Sequence, residues 1–135
     1  MKKIVIIDGQ GGKLGSLLIA RLKTEAGHCA LYAVGTNSLA TSAMLKAGAD
    51  FGATGENPVV VQSRDADIIA GPVGITAADA LFGEVTPAMA VAVGQSRALK
   101  VLLPVNRCNY HIAGTRDMPV AELIDTAAKY ILSKC

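Results

Sequence analysis

Three glycines spaced three apart, Gly9, Gly12 and Gly15, lie in the run Asp8-Gly9-Gln10-Gly11-Gly12-Lys13-Leu14-Gly15-Ser16. Glycine-rich turns of this kind can cradle phosphate. They adopt backbone angles that other residues avoid, and a missing Cβ lets a pyrophosphate approach the opening of a helix. On this reading Gly9 occupies the tight turn and Gly12 is where backbone meets phosphate. Lys13 is the cation of the loop and can meet the same phosphate or remain a solvated helix-start residue. The strict G-x-G-x-x-G pattern fails, because Leu14 stands at its last position. The P-loop pattern fails too, because Lys13 is followed by Leu14 and not by Ser or Thr. Asp8 precedes the turn. Its carboxylate either opposes a pyrophosphate or accepts hydrogen bonds from the loop amides, and the second role is the expected one.

Three more polar loops could contribute. Gly35-Thr36-Asn37-Ser38 offers hydroxyl and amide groups where an NAD-binding domain places an acid for the ribose 2′-OH. With no acid there, NADP(H) is favoured over NAD, and a methyltransferase reading lacks the same acid. Thr36, Asn37 and Ser38 could equally be a plain helix cap. Gly71-Pro72-Val73 follows another apolar run and is expected to face the same ligand. Asn106-Arg107-Cys108-Asn109-Tyr110-His111 gathers the densest set of reactive side chains. Asn106 would touch the ligand, and Cys108 with His111 could form a nucleophile and base. No orienting acid accompanies them, so a polar loop closing over the ligand is the favoured reading. No metal site is expected.

The elements that must position these loops alternate regularly. Lys3–Asp8 is an apolar run of strand type, and Leu14, Leu18 and Leu22 form a helical stripe after it. His28–Val34 reads as a second strand, with His28 at the surface, and Leu39–Ala47 as a helix capped by Asn37 or Ser38. Residues 50–54 give a short third strand. Residues 56–65 are ambiguous, because Pro58 suits a first helical turn while Val59-Val60-Val61 favours a strand; a short helix keeps the alternation. Residues 67–70 form a buried fourth strand, and residues 75–82 a short helix or helical turn. Thr86-Pro87 caps and opens a helix to Gln95 that has no polar face. Leu99–Val105 is a fifth strand ended by Pro104. Tyr110–Ala113 is a possible sixth, and Pro119 opens a final amphipathic helix.

This order predicts an α/β fold: a single-domain, doubly wound parallel sheet of Rossmann-like type, with five or six strands and helices on both faces. Ligands in such sheets bind beyond the carboxyl ends of the strands, where the strand order reverses between the first and fourth. All four polar loops fall on that edge.

Composition narrows the function. The chain has 135 residues, enough for one domain with its own core. Apolar residues make up 51% and charged residues 18%, a lean surface that predicts a homodimer or larger homo-oligomer. The helix ending at Gln95 and the small-residue helix Leu39–Ala47 are the expected contact faces. A net charge of +2, without basic clusters or Trp, argues against nucleic acid. No apolar stretch approaches the roughly 20 residues of a membrane span, and no leader is evident, so a cytoplasmic location is expected. Three cysteines, Cys29, Cys108 and Cys135, suggest neither a disulfide framework nor a metal cluster, and Cys29 and Cys135 read as incidental.

The glycine spacing resembles that of short-chain and prephenate-type dehydrogenases. Longer runs resemble a family of short bacterial proteins defined as a domain of unknown function. These are Ile7-Asp8-Gly9-Gln10-Gly11-Gly12, Gly35-Thr36-Asn37 with Ala40–Ala49, Gly52-Ala53-Thr54-Gly55-Glu56-Asn57, and Leu103-Pro104-Val105-Asn106-Arg107-Cys108-Asn109. That resemblance covers nearly the whole chain. It implies a Rossmann-like nucleotide-binding fold and assigns no catalytic residue. The expected function is a nucleotide- or dinucleotide-binding module with a sensor or regulatory role. The alternatives are a small NADP-dependent oxidoreductase or transferase using the loop after the fifth strand, and a ligand-free structural oligomer.

Overall fold

Alternate residues of the first strand, β1 (Lys2–Asp8), point to opposite faces of a sheet, and both faces are buried. Ile4 and Ile6 pack on one side, Val5 and Ile7 on the other. A computed structural model describes residues 1–105 and 109–135. After β1 come α1 (Lys13–Lys23), β2 (Cys29–Gly35), α2 (Ser38–Lys46), β3 (Phe51–Thr54), α3 (Glu56–Ser63), β4 (Ile68–Pro72), α4 (Pro87–Gln95), β5 (Leu99–Leu103) and α5 (Val120–Lys134). The five strands form one parallel sheet in the order β3-β2-β1-β4-β5. The strand order reverses between β1 and β4, as expected for this class of sheet.

Helices cover both faces. Leu18, Leu22, Met44, Ile124 and Ile131 from α1, α2 and α5 meet Ile4, Ile6 and Leu31 on the first. Val59, Met89 and Val93 from α3 and α4 meet Val5, Ile7 and Ile69 on the second. Each such side chain contributes about 1.5–3 kcal/mol when fully buried. That burial explains why Val59-Val60-Val61 becomes helix despite its strand propensity: Val59 is lost to the core if the turn unwinds. Thr86 caps α4 by accepting from the Met89 amide at 3.2 Å, with Pro87 at the first helical position. Met89, Ala90 and Val93 are buried, while Val91 on the outer face is 54% exposed, so the sheet covers only half of this apolar helix.

Two expectations are corrected and a third is resolved. Tyr110–Ala113 is not a strand. Tyr110, His111 and Ala113 are exposed and have no apolar face to bury, and Asn109 (φ 67°) and Gly114 (φ 87°) break extended geometry at either side. Residues 75–82, expected as a short helix or helical turn, take the second form: a 3-10 turn, Val73–Thr76, leads into irregular turns in which Asp79, Leu81 and Phe82 take φ of 66°, 56° and 57°. Finally, Cys29 at the start of β2 is disulfide-bonded to Cys135 at the end of α5, with Cα atoms 6.3 Å apart. The two are 106 residues apart in sequence and meet because α5 runs back along the sheet toward the amino ends of its strands. Among the described residues, no helix is long and apolar enough to cross a membrane.

Candidate functional site

The strands end level at the carboxyl edge: Asp8 pairs with Gly35, Gly35 with Thr54, and Pro72 with Leu103. From Asp8 the chain turns through Gly9-Gln10-Gly11-Gly12, closed by the Gly12 amide donating to the Gly9 carbonyl at 2.9 Å. Each glycine has a different job. Gly15 packs the helix on the strand, since a Cβ there would meet the Asp8 Cβ at 3.0 Å and the Met44 sulfur at 2.6 Å. Gly12, in the left-handed region at φ 71°, lies against α2, where a Cβ would meet the Ala40 Cα at 2.7 Å. Packing against Ala40 is thus reason enough for a glycine at this position. Gly11, like Gln10, is exposed, and nothing lies within 4 Å of a Cβ added to it. The N-cap of α1 is Gly12, which has no side chain to offer; the Asp8 carboxylate serves one helix amide instead. Of its early amides, Gly15 donates to Asp8 Oδ2 at 2.7 Å, and those of Lys13 and Leu14 open the helix without an intrahelical acceptor.

Glu84 was not anticipated from the sequence. It follows the irregular turns after β4, and its Oε1 accepts three hydrogen bonds. These come from the Gln10 amide at 2.9 Å, the Thr36 hydroxyl at 2.6 Å and the Asn37 side-chain amide at 2.8 Å. Asn37 also caps α2, its Oδ1 accepting from the Ala40 amide at 2.9 Å, and its Nδ2 reaches the Gln10 carbonyl at 2.9 Å. One carboxylate thus ties the glycine turn to the loop after β2. The sequence argument for NADP(H) rested on the lack of an acid in residues 35–38. That premise is corrected: the fold brings an acid onto Thr36 and Asn37 from 48 and 47 residues away.

Asp8 and Glu84 are held differently. Asp8 is buried, and its oxygens accept from the Gly9 amide at 2.8 Å and the Gly15 amide at 2.7 Å. Burial raises its pKa above the ordinary carboxylate value; these two bonds oppose that rise, and the Glu84 charge adds to it. For Glu84, partial burial also acts upward, but the bonds from Thr36, Gln10 and Asn37 together outweigh it and hold the pKa below the ordinary value.

The other expected site residues divide sharply. Gln10, Gly11 and Lys13 are exposed and Leu14 is half-buried, all beside the turn. Ser38 is exposed at the start of α2. Gly71, Pro72 and Val73 are buried. A Cβ on Gly71 would run into the Ile7 carbonyl oxygen, so this glycine serves the contact of β4 with β1. His111 is exposed; Asn106 and Cys108 lie outside the described residues. A cavity of about 510 Å³ opens beside the glycine turn, lined by Lys13, Leu14, Leu17, Val105, Val120 and Ile124. A slightly larger one, about 550 Å³, lies between α3 and α4 near Ser63, Val91 and Arg97. None of its lining residues belongs to the carboxyl-edge loops, so we place the candidate site at the first.

No curated protein matches the chain. Among solved structures, the chain is similar to a dodecameric FMN-dependent UbiX-like decarboxylase from Escherichia coli O157:H7. The identity is 16% and the TM-score 0.45, over 99% of this chain and 93% of that one. The pattern of one family spans residues 3–135, nearly the full length. With its parallel α/β sheet and glycine turn at the β1–β4 switch, the chain belongs to the family described as Domain of unknown function (DUF3842).

Proposed function

We propose that this chain is a nucleotide-binding module, taking a nucleotide or dinucleotide at the carboxyl edge of the sheet and serving a sensor or regulatory role. The observation that carries the reading is the opening of α1. The helix begins at a glycine N-cap beside an exposed turn, at the point where the strand order reverses, and among the described residues only its Gly15 amide is served by a side chain, Asp8. The Gly11, Lys13 and Leu14 amides, with the Lys13 ammonium, would hold the phosphates. The cavity against α5, about 510 Å³, is of ligand-site size and offers Leu14, Leu17 and Ile124 to an apolar ring.

A binding role is favoured over catalysis by what the acids of this edge are doing. Both oxygens of Asp8 and Oε1 of Glu84 accept from protein donors, which holds these carboxylates in place as fixed acceptors. The oxidoreductase or transferase alternative would draw its chemistry from Cys108 and His111. NADP(H) keeps no preference once an acid stands at Thr36. We further propose a homo-oligomer, supported by the exposed apolar residues Val91 on α4 and Leu39 on α2.

A thermal-shift panel of NADH, NADPH, ATP, GTP, CoA, FMN and S-adenosylmethionine tests the reading. A ligand at 100 times its Kd adds about 2.7 kcal/mol, a shift of several degrees. Such a shift with a nucleotide and no turnover of simple carbonyls supports the module. No shift with any of the seven favours the structural oligomer.

A further inference from the structure

We propose that Glu84 is the ribose-recognising acid of this site, delivered from the β4–α4 connection, and that it selects ligands with a free 2′-hydroxyl over those carrying a 2′-phosphate. The inference rests on the nucleotide reading above and adds its specificity. Its basis is position. Thr36 and Asn37 are the first two residues after β2, and Gln10 lies in the turn after β1. A carboxylate oxygen 2.6 Å from Thr36, 2.8 Å from Asn37 and 2.9 Å from the Gln10 amide stands between the end of the second strand and the glycine turn. Dinucleotide-binding sheets use an acid there to accept from ribose hydroxyls, normally one carried at the end of the second strand itself. Here residues 35–38 are Gly-Thr-Asn-Ser, and they orient an acid from elsewhere.

The chemistry follows from the valence of a carboxylate, which accepts hydrogen bonds and donates none. The three protein donors all meet Oε1. Among the described residues no hydrogen bond engages Oε2, which leaves its lone pairs for ligand hydroxyls. A 2′-phosphate offers no such donor and would bring its charge against Glu84, with Asp8 behind it. The acid is also held in place. Leu81 and Val85 are buried beside it, and the Asp79 amide closes onto the Val85 carbonyl at 2.6 Å. The left-handed backbone at Leu81 is therefore held by that side chain's burial, with Phe82 projecting into solvent.

NAD⁺ and NADP⁺ differ only at the 2′ position, and calorimetric titration of both into the full chain tests the assignment. The wild type is expected to bind NAD⁺ at least about tenfold more tightly. Glu84→Gln keeps an oxygen for the same three donors and removes the charge. It is expected to bring the two affinities within about threefold of each other, chiefly by a gain for NADP⁺. An unchanged ratio in E84Q overturns the proposal, as does a wild type that binds both equally. Glu84→Ala separates a further possibility. If it tightens both ligands by the same factor, Glu84 is a stand-in anion occupying the donors, and the ribose role fails. The wild-type ratio needs no variant, so a misfolded substitution does not spare the proposal. Binding of both dinucleotides without discrimination, or failure of both to bind the wild type, overturns the role of Glu84, whereas the nucleotide reading itself falls only if none of the seven ligands of the thermal-shift panel binds.

Discussion

The Thr36 hydroxyl donates to the Glu84 carboxylate at 2.6 Å across 48 residues of sequence, and this bond joins the end of β2 to the turns that follow β4. With the Gln10 and Asn37 donors it makes one oxygen the meeting point of three segments. Removing it by Glu84→Ala is expected to destabilise the fold by about 1–3 kcal/mol, measured by urea unfolding at neutral pH. The sign of its pH dependence follows from its lowered pKa. The contribution is present above the ordinary glutamate range and is lost as the pH falls through the lowered value. The gap between wild type and E84A should therefore close in acid.

Asp8 behaves in the opposite sense. Its raised pKa means that its ionised form is disfavoured by burial, so its effect on stability is most favourable below the ordinary aspartate value and weakens as the pH rises through the raised one. Its two oxygens nevertheless serve two amides. Asp8→Asn places an NH₂ against one of them and is expected to cost about 1–3 kcal/mol at neutral pH. Stability within 0.5 kcal/mol of wild type would show that the Gly9 and Gly15 amides do not depend on this side chain.

Gly11 and Gly12 should separate ligand from fold. Gly12→Val puts a branched side chain at φ 71° and against the Ala40 backbone, and is expected to lower stability by about 2 kcal/mol or more. Gly11→Val meets open space, so unfolding should stay within about 0.5 kcal/mol while nucleotide affinity drops. Equal losses of stability in both variants would contradict the division.

The Cys29–Cys135 bond makes a countable claim. The chain has three cysteines, and two are paired, so denatured, unreduced protein should show one free thiol by Ellman titration. Cys135→Ser is expected to cost about 2–4 kcal/mol under oxidising conditions. Three free thiols would contradict the pairing.

Much of this architecture was legible because the signals are local. The apolar run of β1, the Thr86-Pro87 opening of α4 and the Asn37 cap of α2 each lie within a few residues of what they determine, and the structure agrees with them. The site was legible only as a set of loops. Glu84 was hidden because its partners are 47 to 74 residues away. It lies just beyond residues 75–82, and nothing in the identity of Leu81 or Phe82 announces the left-handed backbone that turns the chain toward the site. The disulfide was hidden for the same reason, as its partners meet only through the docking of α5. Gly12 shows the limit of motif reading: the pattern marks a glycine, and only packing tells whether it faces a ligand or Ala40.

The most direct test of the central claim is an amide ¹H–¹⁵N titration of the protein with NAD⁺. The account expects the Gly11, Lys13 and Leu14 amides to shift saturably, together with the Thr36 and Asn37 region, while residues 24–27 on the opposite edge stay fixed. No shift at Gly11, Lys13 and Leu14 at millimolar nucleotide, or shifts confined to the groove between α3 and α4, would contradict it.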